Sequence, residues 1–235
     1  MRLFIALDLP SAISAELLAT QERLQALGAR PVSWTRSHGL HLTLQFLGEQ
    51  QETLVAPLLA ALAMLPPLAC TLGLAGLGAF PNATRPQVLW AGLAGDVSAL
   101  HELRWRVVAA TAALGIVAET RPYRPHLTLG RVRGVVGKQQ YVDISMAMAH
   151  AAPPAPLEWL SGSPLLYQSL LTAQGVRYRV LGSAEPPEDC KGKLPTIIRS
   201  VRRCVRRHTS TRPSRTSGPS RWRRHSLRHL LLPGC

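Results

Sequence analysis

Two tetrapeptides, His41-Leu42-Thr43-Leu44 and His126-Leu127-Thr128-Leu129, set an imidazole two residues ahead of a hydroxyl in the same order. In an extended strand residues i and i+2 share a face. Each copy therefore predicts His and Thr on one polar surface, with both leucines turned into a core. Histidine changes charge near neutrality, so a pair in slightly different surroundings can hold one neutral and one protonated ring. That combination suits in-line displacement at a phosphodiester, which needs a base beside the nucleophile and an acid beside the leaving group. Thr43 and Thr128 would then hydrogen-bond the non-bridging oxygens as charge builds on phosphorus. A lone His-x-Thr is weak evidence; its repetition at the end of two similar units gives it weight. Zinc is poorly served, because no Asp, Glu or Cys stands at ligand spacing from either histidine. Neither a metal nor a cofactor is expected.

The elements that must position these residues also repeat. Residues 3–7 form a continuous apolar run that predicts a buried strand. Ser11 is then the expected N-cap of a helix that Gly28 ends. Residues 40–46 return as the strand bearing the first tetrapeptide, and residues 52–65 read as a helix stopped by Pro66-Pro67. In the second unit residues 87–93 read as a strand and residues 97–114 as a helix ended by Gly115, and Pro125-His126 opens the second tetrapeptide. Leu7 precedes His41 by 34 positions and Leu93 precedes His126 by 33, so strand, helix and strand are duplicated. Pseudo-twofold symmetry about a central cleft follows. Residues 165–171 and 176–181 flank Gln174-Gly175 as a hairpin closing the sheet. Residues 139–150 fit either a strand, by the alternation of Val142, Ile144, Met146 and Met148, or a helix, by their Ala and Met content.

Charge divides the chain. The net charge of +14 resides mostly in residues 184–235, where 13 Lys and Arg face 3 Asp and Glu, against 14 and 10 in residues 1–183. The expected organisation is a folded domain over 1–183 followed by a basic, disordered extension over 184–235, whose Arg, Ser, Thr and Pro runs offer little periodic apolar surface. Only Cys70 of the four cysteines lies in the first part, so no disulfide framework is expected. The apolar N-terminus is short and carries Asp8, unlike a secretory signal, and no run reaches transmembrane length unbroken. The expected location is cytoplasmic.

Beyond the tetrapeptides, several segments stand in one order: residues 2–7 (RLFIAL), Trp34, residues 41–49 (HLTLQFLGE), residues 88–93 (VLWAGL), residues 125–131 (PHLTLGR), Ser169-Leu170, Gly175 and Tyr178. In this combination the chain resembles the LigT-like RNA 2′,3′-cyclic phosphodiesterases of the two-histidine phosphoesterase superfamily over residues 1–183. The resemblance implies a bilobal α+β fold with antiparallel sheets lining a central cleft. It implies hydrolysis of RNA 2′,3′-cyclic phosphate ends, tRNA fragments among them, to 2′-phosphomonoesters by a monomer, and in some members the joining of RNA ends through a 2′,5′ linkage. It maps His41 to proton donor and His126 to proton acceptor, roles that the pseudo-symmetry of the residues alone leaves interchangeable.

Three candidate substrate contacts accompany the histidines. Arg131 stands at the family's arginine position, but strand parity turns it to the face opposite His126 unless a bulge intervenes. Tyr123 could stack on a base or pack in the core, and Phe46 could do either. Two other readings use the same residues. One is a noncatalytic protein that only binds RNA ends, with the basic extension supplying affinity. The other is the same chemistry on a small cyclic nucleotide or an ADP-ribose cyclic phosphate.

Overall fold

A computed structural model describes residues 1–172 and 175–183; the expected extension over 184–235 lies outside the described residues, as does Gln174 of the hairpin turn. The chain runs β1 (Arg2–Leu7), α1 (Ser11–Ala26), β2 (Val32–Trp34), β3 (Leu42–Glu49), α2 (Val55–Ala63), β4 (Thr71–Phe80), β5 (Val88–Gly95), α3 (Val97–Ala112), β6 (Leu127–Val132), α4 (Lys138–His150), β7 (Glu158–Leu160), β8 (Leu165–Thr172) and β9 (Gly175–Ser183). Every strand pair is antiparallel. The strands follow the order β7-β4-β5-β6-β3-β1-β8-β9, with β2 also against β6. Reading outward from the centre, β6 answers β3, β5 answers β1, β4 answers β8 and β7 answers β9, which is the expected pseudo-twofold arrangement. The two halves form one curled sheet and meet in register at Leu42 opposite Leu127.

Helices α1 and α3 cover the face of the leucines. Leu42, Leu44, Leu127 and Leu129 are buried with Leu17, Leu24, Leu100, Leu103 and Val107 in one large core. On β1, Leu3, Ile5 and Leu7 join that core, while Phe4 and Ala6 face the other side with Tyr167. Burial on both faces is why the run reads as continuously apolar. The helices are exchanged between the halves. Thr111 of α3 donates to Gln45 Oε1 on β3 at 2.9 Å. Gln21 of α1 donates to the carbonyl of Leu129 on β6 at 3.0 Å and to that of Thr35 at 2.8 Å.

Several boundaries differ from the sequence expectation. Helix α1 is capped by Pro10 and makes no side-chain cap bond, so Ser11 is its first helical residue and not the N-cap. The stretch expected as one helix from residue 52 opens with a 3-10 turn over Glu52–Leu54 before α2. Pro57 explains this, since it has no N–H to give the carbonyl four residues earlier. The ambiguous stretch over 139–150 is helix α4, because Ile144 and Ala147, three apart, form its buried side. Strand β4 was unread in the sequence because Gly73, Gly76 and Gly78 weaken its strand signal. Gly78 is needed there, since a Cβ would collide with the indole of Trp90 lying over it.

Candidate active site

His41 and His126 each stand immediately before their strand. Antiparallel register about the Leu42 and Leu127 pair carries His41 opposite Thr128 and His126 opposite Thr43. The two His-x-Thr units therefore interleave across the junction of the halves. All four side chains are half-buried, and the leucines between them are fully buried. Each imidazole is held in the same way: Nδ1 of His41 lies 2.9 Å from the Gly39 carbonyl oxygen and Nδ1 of His126 lies 2.7 Å from that of Arg124. A carbonyl only accepts, so each Nδ1 carries a hydrogen and, in the neutral ring, each Nε2 is the nitrogen with the free lone pair.

Burial lowers the pKa of both rings. For His41 the value falls to about 4: desolvation outweighs the Gly39 hydrogen bond and the Asp8 carboxylate, which favour the charged ring, while His126 and Arg131 disfavour it. For His126 desolvation again dominates, opposed by the Arg124 carbonyl and assisted by Arg131. At neutral pH burial therefore favours the neutral form of both rings.

Arg131 thus acts on both histidines, although simple alternation points it away. The register supplies the bulge that parity required: Trp90 faces Thr128 and Leu89 faces Gly130, leaving Leu129 unopposed. Beyond it Arg131 pairs with Val88 on the face of Trp90, whose ring lies 6.2 Å from that of His126. The first unit repeats the device, since Ala6 faces Thr43 and Ile5 faces Gln45, leaving Leu44 unopposed. Gln45 then points to α3, and Phe46 comes to the face of Phe4, ring to ring at 6.1 Å. Phe46 and Arg131 are therefore equivalent positions of the two halves, one apolar and 46% exposed, the other cationic and exposed.

Aromatic side chains back both histidines. Phe4 lies 4.8 Å from His41, with Tyr178 edge-on to it at 5.0 Å, and Tyr167 stacks on Phe4. Phe80 meets His126 edge-on at 4.9 Å. Sequence reading did not single out Phe4, Tyr167, Tyr178, Phe80, Trp90 or Asp8 as site residues. The parity of Phe4 with Ala6 on β1 was the available signal; Phe80 had none, because β4 itself was unread.

Tyr123 holds a different place from a base-stacking platform. Its hydroxyl donates to the Thr43 carbonyl at 2.9 Å, His101 abuts the ring, and the Arg104 guanidinium covers it at 4.7 Å. Burial keeps the phenol protonated by raising its pKa. Tyr123, three residues before His126, therefore ties the approach to one histidine to the strand of the other. Tyr123→Phe should cost about 1 kcal/mol in urea denaturation and lower turnover several-fold at unchanged KM. A change confined to KM would make it a substrate contact instead. Among the described residues no three His, Cys, Asp or Glu side chains converge as a metal would require. No helix there is long and apolar enough to cross a membrane.

A relative from Methanocaldococcus jannaschii named RNA 2′,3′-cyclic phosphodiesterase is 30% identical over 188 residues, spanning 77% of this chain and 98% of the relative. The chain belongs to the LigT-like phosphoesterase family. The profile of that family, described as LigT like Phosphoesterase, matches residues 7–90. A second relative of the same name, from Aeropyrum pernix, is 31% identical over 151 residues, covering 64% of this chain and 84% of the relative. Among solved LigT-like structures, E. coli LigT complexed with 3′-AMP superposes with a TM-score of 0.62 at 26% identity, over 77% of this chain and 95% of that one. As a LigT-like phosphoesterase, the chain has the α+β architecture expected from its duplicated units.

Proposed function

We propose that residues 1–183 form one phosphoesterase domain that hydrolyses RNA 2′,3′-cyclic phosphate ends to 2′-phosphomonoesters. The observation that carries this reading is the interleaving of the two His-x-Thr units about Leu42 and Leu127, with both Nδ1 atoms held and the free lone pair of each neutral ring on Nε2. Relatives named RNA 2′,3′-cyclic phosphodiesterases and a structural neighbour holding 3′-AMP support it. His126 Nε2 takes a proton from water as the oxygen attacks phosphorus. The bond from phosphorus to O3′ breaks, and His41 Nε2 delivers its proton to O3′. Thr43 and Thr128 hold the non-bridging oxygens, where charge develops, and Arg131 adds positive charge beside them. With an RNA 5′-hydroxyl in place of water, the same steps give a 2′,5′ linkage.

Burial holds the His41 ring down to about 4, against its charged form, and a single electrostatic contribution favours it as the acid. The Asp8 carboxylate favours imidazolium at His41, and no carboxylate contributes at His126. The remaining stabilisation of the imidazolium comes from the substrate, since an anionic phosphate beside the ring raises its pKa. A bell-shaped pH dependence follows, with a definite displacement between its two forms. The profile of kcat/KM reports the free enzyme, so its limbs lie on the acid side of the ordinary imidazole value. The profile of kcat reports the complex, so its limbs move to higher pH. The assay is turnover of an oligoribonucleotide ending in a 2′,3′-cyclic phosphate, in EDTA, from pH 4 to 9, with the product phosphate identified. A 2′-phosphate formed along those displaced bells is expected. A 3′-phosphate, or a rate independent of pH across this range, would overturn the proposal.

A further inference from the structure

Beyond the ends of β5 and β6 lies a cavity of about 570 Å³ lined by Thr84, Arg85, Val136, Lys138, Tyr141 and Val142. Its lining holds two cations and two hydroxyls and no carboxylate. Neither Arg85 nor Lys138 enters an ion pair among the described residues, so their charge is not neutralised by those residues. The wall carrying Arg85 is preformed: Asn82 Oδ1 accepts from the Thr84 hydroxyl at 2.8 Å and from the backbone N–H groups of Thr84 and Arg85 at 3.1 and 2.9 Å. The hydroxyl of Ser145 on α4 lies 2.6 Å from the Ala83 carbonyl oxygen, fixing the opposite wall to this loop.

The two segments that line the cavity lead off from residues beside His126, namely Phe80, whose ring abuts it, and Arg131, whose charge acts on it. The loop presenting Thr84 and Arg85 begins directly after Phe80, whose ring abuts His126, and closes through the Gln87 N–H to the Phe80 carbonyl at 2.7 Å. The segment leading to Lys138 leaves β6 after Val132, one residue past Arg131, and the Val132 N–H donates to the Gln87 carbonyl at 2.9 Å. His126 and Arg131 are five residues apart, on the order of 15 Å along a strand at about 3.3 Å per residue. Arg85 and Lys138 lie on the segments beyond that end of the strands, so an RNA strand extending past the terminal phosphate is what would meet them.

We infer that this cavity binds a backbone phosphodiester of the RNA strand upstream of the cyclic end, through Arg85 and Lys138, with the Tyr141 ring against the adjoining base. The inference deepens the proposed function and rests on RNA being the substrate. Phosphate contacts of this kind supply affinity that falls with salt, and an aromatic face accepts any base.

The test is kcat/KM for a series from a mononucleoside 2′,3′-cyclic phosphate to a hexanucleotide with the same end, for wild type and Arg85→Ala/Lys138→Ala. In parallel, anisotropy measures binding of a hexanucleotide ending in a simple 3′-phosphate. For the wild type, kcat/KM should climb with length and level off. In the double variant the preference for hexanucleotide over mononucleotide should fall about tenfold, with a salt slope shallower by about 1.4 for two lost contacts at roughly 0.7 each. An unchanged length preference and salt slope would overturn the inference, as would an equal loss on every length. Should the wild type turn over none of the substrates, the phosphodiesterase reading fails, and the anisotropy result decides the cavity separately. A hexanucleotide bound about tenfold more weakly by the variant upholds it, and equal binding ends it.

Discussion

His41→Ala and His126→Ala each should lower kcat on a cyclic-phosphate RNA end by roughly 10²–10⁴-fold, the range for loss of a positioned acid or base. RNA binding should change little in either variant. The reason is geometric: Thr43, Thr128 and Arg131 remain on the groove face when one ring is removed, and each leucine beside the histidine stays in the core. The double variant should fall little further than the worse single one, since groups acting as a unit are not additive. Turnover and anisotropy measured on the same preparations separate this from a noncatalytic RNA-end-binding protein. Such a protein would show no turnover in the wild type or either variant, and its binding would depend more on the basic residues of 184–235 than on either histidine.

Leu127→Ala should destabilise the protein by about 2–5 kcal/mol, the usual cost of a buried Leu to Ala truncation. Leu127 is fully buried opposite Leu42, at the register pair where the halves meet. Removing its side chain leaves a void directly behind His126 and Thr128. Leu62→Ala in α2, also fully buried, serves as the comparison, because it lies away from the histidines. Urea denaturation should show similar losses for the two. At a temperature where both remain folded, only Leu127→Ala should lose turnover, by about tenfold if a misplacement of the order of 1 Å costs up to 10². Equal activity in the two variants would mean that the junction does not set the histidine geometry.

Much of this was legible in the chain because period-two alternation and repetition are local. The tetrapeptides, the leucines behind them, and the helices between matching strands follow from spacing alone. So does the left-handed Gly28 at the end of α1, with φ of 101°. What spacing could not give is any feature defined by a partner strand. Arg131 and Phe46 reach the histidine face through bulges at Leu129 and Leu44, and a bulge is a mismatch between two strands, invisible in either one. The exchange of α1 and α3 behind the opposite half is equally nonlocal, as is the tie from Tyr123 to Thr43. Strand β4 escaped because its three glycines deprive it of side chains that would identify it, and only one of them, Gly78, has its reason in the partner strand, where it admits the Trp90 indole.

The position of β1 between β3 and β8 bears on how the chain is made. One edge of β1 finds its partner within 50 residues, but the other pairs Arg2 with Ser169 and Ala6 with Leu165. At a synthesis rate of about 5–20 residues per second, some 160 residues of waiting amount to roughly 8–30 seconds. Throughout that interval the strand Leu3–Leu7 presents an open apolar edge, the kind of surface that pairs with another chain when nothing covers it. The nascent protein is thus most exposed to association with its neighbours before the last hairpin emerges, and the α1 glutamine that braces the second histidine's strand likewise waits for a partner 108 residues away.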